Sequence, residues 1–277
     1  MEYEALYRQC VEILQQAGIE EAVLDARLLL EEVCHTDRNY LLAHGDSPVT
    51  AEQEKQYREW IGKRAGHIPL QHILGYQEFM GLRFLVTPQV LIPRQDTEIL
   101  VEEVLKDLHD GMRILDMCTG SGCILLSLLR YSNDCQGTGV DISDEALAVA
   151  RENSRQLGLD ADFVKSDLFE NIENKYDIIV SNPPYIASGV IPALMEEVRE
   201  HDPHIALDGG EDGLFFYREI IREAGAHLYS GGTLFFEIGF DQAAAVSALL
   251  EQAGFHEISV YRDLTGNDRV ISGIYIG

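Results

Sequence analysis

Asn182-Pro183-Pro184-Tyr185 is the segment of this 277-residue chain whose residue types point most directly to chemistry. Two consecutive prolines remove two backbone donors and set a rigid turn with exposed carbonyl acceptors. Asn182 adds a side-chain amide that both donates and accepts. Tyr185 adds an aromatic face on which a flat group can stack. A conjugated –NH2 group, whether amide or aryl amine, is a poor nucleophile because its lone pair is delocalised. Acceptors that hold both of its N–H bonds concentrate electron density on nitrogen and aim it at an electrophile. Positioning and preorganised electrostatics then carry a transfer without a strong base. Taken alone, the tetrapeptide is also an ordinary turn signal. Its place decides otherwise: it follows Tyr176-Asp177-Ile178-Ile179-Val180-Ser181, which predicts a buried parallel strand.

A second constellation lies upstream. Ile114-Leu115-Asp116-Met117-Cys118-Thr119-Gly120-Ser121-Gly122 runs from an apolar strand through a small-residue turn towards a helix. Such a turn lets backbone approach a ligand at the strand's carboxyl end, where open α/β sheets bind. The next predicted strand ends in Asp141, 25 positions beyond Asp116, where an acid can meet ribose hydroxyls. A dinucleotide site would want glycines around a pyrophosphate, and the acid at Asp116 opposes one. A purely structural turn is the bland alternative. A ligand with a cationic ammonium and a sulfonium suits the acids best, so the expected cofactor is S-adenosylmethionine. Asp167, after the third strand, is placed to hydrogen-bond an adenine amine and Leu168 to pack on the ring, although either residue could equally be a plain strand-end cap.

These residues need a frame to hold them. From Gly111 onward, apolar runs alternate with helical patterns, predicting strands at Arg113–Met117, Gly137–Ile142, Ala161–Lys165, Tyr176–Ser181, Gly232–Ile238, Glu257–Tyr261 and Val270–Ile276. This is an α/β reading with an open, mostly parallel sheet. The short segment 262–269 leaves no room for a crossover helix, so the last two strands should be antiparallel neighbours. Residues 1–70 carry helical spacing instead, with Leu6, Cys10, Ile13 and Leu14 on one face and Thr50 as a start signal for a later helix. They predict a small all-α domain. Residues 71–95, punctuated by Gly75, Gly81, Pro88 and Pro93, read as a hairpin or linker. Residues 96–277 form the α/β part, opened by Asp96-Thr97 as caps for a helix over 98–109.

Composition narrows the partners. Hydrophobic residues make up 46% and the formal net charge is -26, with both the first 80 residues and the remainder acidic. Long-range repulsion disfavours a phosphate backbone, so no direct nucleic-acid partner is expected. No apolar run reaches the length of a membrane span and the N-terminus lacks a secretion-signal layout. Five cysteines without a Cys-x-x-Cys pair argue against a disulfide framework and point to the cytoplasm. His72, His201 and His204 are not spaced as metal ligands, and Asp208–Gly213 does not match a calcium loop, so no metal is expected.

The chain resembles the class I S-adenosylmethionine methyltransferases, and among them the release factor glutamine methyltransferases. The resemblance runs through Pro69–Gly75, Leu91-Ile92-Pro93-Arg94-Gln95-Asp96-Thr97-Glu98, the glycine turn, Asn182–Ile186 and Ala206–Gly213. It implies a Rossmann-like seven-stranded sheet with the last strand antiparallel, and a helical N-terminal domain that helps recognise the substrate. The implied reaction moves a methyl group from S-adenosylmethionine to the glutamine amide of the Gly-Gly-Gln motif of peptide chain release factors. On the motif's terms, Asn182 and the Pro183 carbonyl hold that amide, with Pro184 and Tyr185 flanking it. Cys118, Thr119, Gly120, Ser121, Gly122, Asp141, Asp167, Leu168 and Asn182 bind the cofactor, and the enzyme acts as a monomer. Asn-Pro-Pro-Tyr alone is shared with adenine amino-methyltransferases of DNA, and an idle cofactor-binding subunit is a third reading. Cys118 departs from the glycine frequent at its position, and Gln95 from a common proline.

Overall fold

Apolar residues at helical spacing near the N-terminus, and apolar runs of strand length beyond Gly111, give two kinds of architecture. The computed structural model describes residues 1–277 and falls into two units: residues 1–76 with 195–201, and residues 77–194 with 202–277.

In the first unit, α1 (Tyr3–Gln16), α2 (Ala22–Cys34), α3 (Arg38–Ala43), α4 (Ala51–Ala65) and α5 (Leu70–Leu74) enclose their own core. Leu6, Cys10 and Leu14 face Leu29, Leu30, Tyr57 and Ile61, all fully buried. Ile13, expected on that face, is 41% exposed instead. Thr50 opens α4 with a capping box shared with Gln53, which satisfies two otherwise orphaned backbone donors. Tyr57 gives its buried hydroxyl to the Ala26 carbonyl at 2.8 Å.

In the second unit, β1 (Tyr76–Phe79) pairs with β2 (Leu82–Leu85) as a separate two-stranded sheet. There follow α6 (Asp96–Asp107), β3 (Arg113–Met117), α7 (Cys123–Arg130), β4 (Gln136–Asp141), α8 (Asp144–Leu157), β5 (Asp162–Lys165) and β6 (Tyr176–Ser181). After α9 (Glu196–His201), which belongs to the first unit, come α10 (Phe215–His227), β7 (Leu228–Glu237), α11 (Ala243–Gln252), β8 (Phe255–Arg262) and β9 (Asp268–Tyr275). The seven-stranded sheet has the order β5-β4-β3-β6-β7-β9-β8, parallel except for β9, which runs antiparallel to both neighbours.

Helices cover both faces of this sheet, so its central strands are apolar on both sides. Leu115, Ile179 and Phe236 enter one cluster, while their neighbours Ile114, Val180 and Phe235 enter the other. Strand ends differ modestly from the sequence reading. The largest shift is in β7, which starts at Leu228 rather than Gly232 because Leu228 pairs with Tyr176 ahead of an irregularity. Asp96 and Thr97 lie inside the first turn of α6 and do not cap it. Gln95 holds the N-cap position at φ -60°, without a side-chain cap, a value that proline also adopts.

Residues 195–201 contribute to the first unit a carboxylate that its core needs. Arg64, with a side chain only 6% exposed, donates from Nε to Asp25 at 2.6 Å and from an Nη to Glu197 at 2.6 Å. Burial raises the Asp25 pKa and Arg64 pulls it back down. No helix of the chain is long and apolar enough to cross a membrane.

Candidate active site

Parallel order puts the carboxyl ends of β3, β4, β5 and β6 on one edge of the sheet, and a cavity of about 520 Å³ opens there. From β3, the turn residues Cys118, Thr119, Gly120 and Ser121 line it. Asp141 at the end of β4, Asp167 and Leu168 after β5, and Asn182 and Pro184 after β6 complete the expected wall. Gly122, Pro183 and Tyr185 lie off the wall.

The glycine turn is tightly tied. Thr119 donates its backbone N–H to Val140 and its hydroxyl to Asp116 at 2.6 Å. Asp141 accepts from the backbone N–H of Gly120 at 2.9 Å and of Ser143 at 3.0 Å, one on each carboxylate oxygen. Its orientation is therefore set before any ligand arrives. Gly139 has no room for a side chain, since a Cβ there would come within 2.8 Å of Phe163 and 2.9 Å of Thr119. Cys118 sits at φ 62°, in the left-handed region that favours glycine.

Four carboxylates (Asp141, Asp167, Glu219, Glu223) and two guanidiniums (Arg94, Arg222) line the cavity. A net acidic wall with a carboxylate inside the turn suits a cationic ligand that lacks phosphate. The donor set therefore fits S-adenosylmethionine and disfavours a dinucleotide.

Asp116 stands beneath the turn, wholly buried, and is absent from the wall. Burial lifts its carboxyl from 3.8 to about 7, with the Thr119 hydroxyl opposing the rise. The folded protein thus holds a proton that the unfolded chain gives up at lower pH. This contribution to stability is complete below about pH 4 and drains away as pH rises towards 7, a loss on the order of 4 kcal/mol. Denaturant titrations of wild type and Asp116→Asn should diverge across that window, with wild type losing ground as pH rises. A difference that does not change with pH would refute the assignment.

The Asn-Pro-Pro-Tyr loop is held from three sides. Ser181 gives its hydroxyl to the Met117 carbonyl at 2.6 Å, joining the loop's strand to that of the glycine turn. Asn182 donates from Nδ2 to Thr97 Oγ1 at 3.3 Å. Tyr185 turns its hydroxyl away from the cavity, onto Glu237 Oε1 at 3.3 Å. Behind the loop, the segment 206–213 runs against its backbone. Ile186 N–H reaches the Leu207 carbonyl, Gly209 N–H reaches the Ile186 carbonyl at 2.8 Å, and Gln242 Nε2 reaches the Tyr185 carbonyl at 2.9 Å.

Several of these residues escaped the sequence reading. Arg94 lies within a recognised segment but carries no chemical signature of its own, and Thr97 reads in sequence only as a helix cap. Phe215, Phe216 and Glu219 of α10 line the cavity, yet in sequence they belong to an ordinary amphipathic helix. Glu237, at the end of β7, lies off the wall and is only 2% exposed.

Known proteins are similar to this chain over most of its length. A family model described as the PrmC N-terminal domain matches residues 5–75, and one described as a methyltransferase small domain matches residues 94–211. The release factor glutamine methyltransferase of Agrobacterium fabrum is 42% identical over 267 residues, covering 94% of this chain and 92% of that protein. The chain belongs to the release factor glutamine methyltransferase family. The Geobacter sulfurreducens member is also 42% identical, over 94% of this chain and 92% of its own length. Among solved structures, a methyltransferase from Pyrococcus furiosus shares the fold, with a TM-score of 0.56 at 18% identity, over 78% of this chain and all of that one. Family membership makes the protein an S-adenosylmethionine-dependent methyltransferase.

Proposed function

We propose that the protein transfers a methyl group from S-adenosylmethionine to the side-chain amide nitrogen of the glutamine in the Gly-Gly-Gln motif of peptide chain release factors. The observation that carries this reading is the single cavity that joins the acid-lined glycine turn to Asn182 and Pro184. Its relatives are release factor glutamine methyltransferases by name.

S-adenosylmethionine supplies a methyl group made electrophilic by its sulfonium. Everything else falls to the chain. The turn Cys118–Gly122 brings backbone close to the cofactor, and Asp141, already fixed by two backbone N–H groups, takes the ribose hydroxyls. Asp167 takes the adenine amine and Leu168 packs on the ring. Asn182 borders both ligands. Its Oδ1 and the Pro183 carbonyl accept the two N–H bonds of the glutamine amide, concentrating charge on nitrogen. That nitrogen gains the methyl and releases one of its two protons to solvent, and S-adenosylhomocysteine is left behind. Pro184 and Tyr185 shape the slot in which that amide lies. Residues 1–70 form the helical domain that engages the release factor, 71–95 the connecting hairpin and 96–277 the catalytic domain. The enzyme works as a monomer in the cytoplasm, on a protein and without direct contact with nucleic acid.

Labelled S-adenosylmethionine offered with release factor or with DNA tests the reading. Label is expected in the release factor, on its Gly-Gly-Gln glutamine, and lost from a factor carrying Gln→Ala there. Label in DNA and none in the factor would overturn the proposal.

A further inference from the structure

Between Ser181, which ends β6, and Ile186, the catalytic loop contains two prolines and lacks two backbone donors. A segment so short of N–H groups has to be held by its carbonyls. Gln242 does this at Tyr185. It lies just ahead of α11, half-buried, and is absent from the cavity wall. Its Nε2 donates to the Tyr185 carbonyl at 2.9 Å and to the Gly213 carbonyl at 3.2 Å. Its Oε1 accepts from the backbone N–H of Gly239 at 2.9 Å. One carboxamide therefore ties together the catalytic loop, the end of segment 206–213 and the turn after β7.

The facing of this amide is settled by backbone groups alone. A backbone N–H only donates and a carbonyl only accepts. With Gly239 on one side and Tyr185 and Gly213 on the other, a single orientation satisfies all three. Tyr217, fully buried, has its hydroxyl 3.3 Å from Oε1 but gives its proton to the nearer Glu237 carbonyl at 2.9 Å. The space is fitted as closely as the bonds. A Cβ on Gly213 would stand 2.9 Å from Nε2, and one on Gly239 would stand 2.9 Å from Oε1.

We propose that Gln242 is a positioning residue for the transfer, holding the far end of Asn182–Tyr185 so that the Asn182 amide and the Pro183 carbonyl keep their places. The inference rests on the methyl-transfer reading above. The near end of the loop is fixed by the bond from Ser181 to Met117. The far end is fixed by Gln242, and two ring-locked φ angles connect the ends. Ile186 is paired with segment 206–213, which the same carboxamide grips at Gly213. Release of the Tyr185 carbonyl lets the loop drift, and transfer between positioned groups is sensitive to displacements below 1 Å or so.

Gln242→Glu keeps the size and the acceptor facing Gly239 but sets an oxygen against two carbonyls. Gln242→Met keeps the length and makes none of the bonds. With release factor as substrate, kcat should fall about tenfold to a hundredfold in both, while KM for the factor and cofactor affinity by calorimetry stay within about threefold of wild type. The two variants part company with pH. A protonated carboxyl regains one O–H to give to Tyr185, and burial favours that form. Relative to wild type, kcat of Gln242→Glu should therefore rise about threefold or more between about pH 8.5 and about pH 6, while that of Gln242→Met stays flat. The ionisable residues around the three anchors are Tyr185, Asp212, Tyr217, Glu237, Asp241 and Arg269. All are present in wild type, so the ratio removes their own titration. An unchanged kcat, matching pH profiles for the two variants, or a loss that follows the melting temperature down would overturn the proposal.

Hydrogen exchange gives a readout that needs no substrate. Ile186 N–H is bonded to the Leu207 carbonyl at 3.0 Å, and Gly209 N–H to the Ile186 carbonyl at 2.8 Å. Both should exchange about tenfold faster in Gln242→Met, with the amides of β3 and β6 unchanged. Unaltered exchange at these two sites, or acceleration spread evenly through the sheet, would also sink the proposal. Gln242→Met and this readout still decide it if Gln242→Glu fails to fold. The local exchange pattern in a protein that methylates no release factor would leave Gln242 as the loop's anchor and remove only the substrate reading.

Discussion

Asn182→Ala is expected to lower the turnover of release factor methylation by about 10²–10³-fold, the usual cost of removing one preorganised polar group from a transition state. Cofactor affinity should change by no more than about threefold, since the carboxylate of Asp141 and the glycine turn are held by contacts that do not pass through Asn182. The asymmetry follows from position. The Asn182 side chain is tied to the loop's support through Thr97, so on the proposed role truncation removes an acceptor from the reacting nitrogen and leaves the scaffold in place. Single-turnover kinetics paired with calorimetry separates the two effects. Abolished cofactor binding would show that Asn182 serves chiefly to hold the cofactor and that the amide is activated by something else.

Gly209→Ala is expected to cost about 10²-fold in turnover, although residue 209 touches neither ligand. A Cβ there would lie 2.8 Å from Tyr185 Cα and 2.9 Å from the Pro184 oxygen, both backbone atoms. Side chains can swing aside, but backbone can yield only by moving the catalytic loop. A displacement on the order of 1 Å in a positioned reacting group carries about this penalty. The effect does not arise from strain at residue 209 itself, whose φ is not positive. Gly62→Ala on α4 is the matched control, since nothing lies within 4 Å of its added methyl. Full activity in Gly209→Ala would mean that segment 206–213 packs on the loop without holding it.

The sheet was legible because its strands are buried on both faces and therefore apolar in runs, and strand ends in turn located the turn residues. Asn182, Pro184, Asp141 and Cys118–Ser121 could be brought to one edge of the sheet by strand order alone. The parts that stayed hidden are those that depend on distant pairing. Thr97 looked like a cap because threonine before a helical run usually is one, yet its hydroxyl is drawn to Asn182, 85 positions away. Glu237 ends an apolar strand, and no local pattern tells a wall carboxylate from one buried behind the wall. The role of Gly209 is invisible for a further reason: a missing side chain leaves no signature until its neighbours are known.

The first unit is finished by residues 195–201, far downstream of the helices they join. During synthesis, Arg64 waits for Glu197 until more than half of the sheet's strands have been made, so the N-terminal unit reaches its final form after much of the catalytic unit has been translated. An exchange of N-terminal units between relatives cut at a single point near residue 76 would leave Arg64 facing a foreign sequence. A graft that keeps its charge pairing has to carry two pieces of chain.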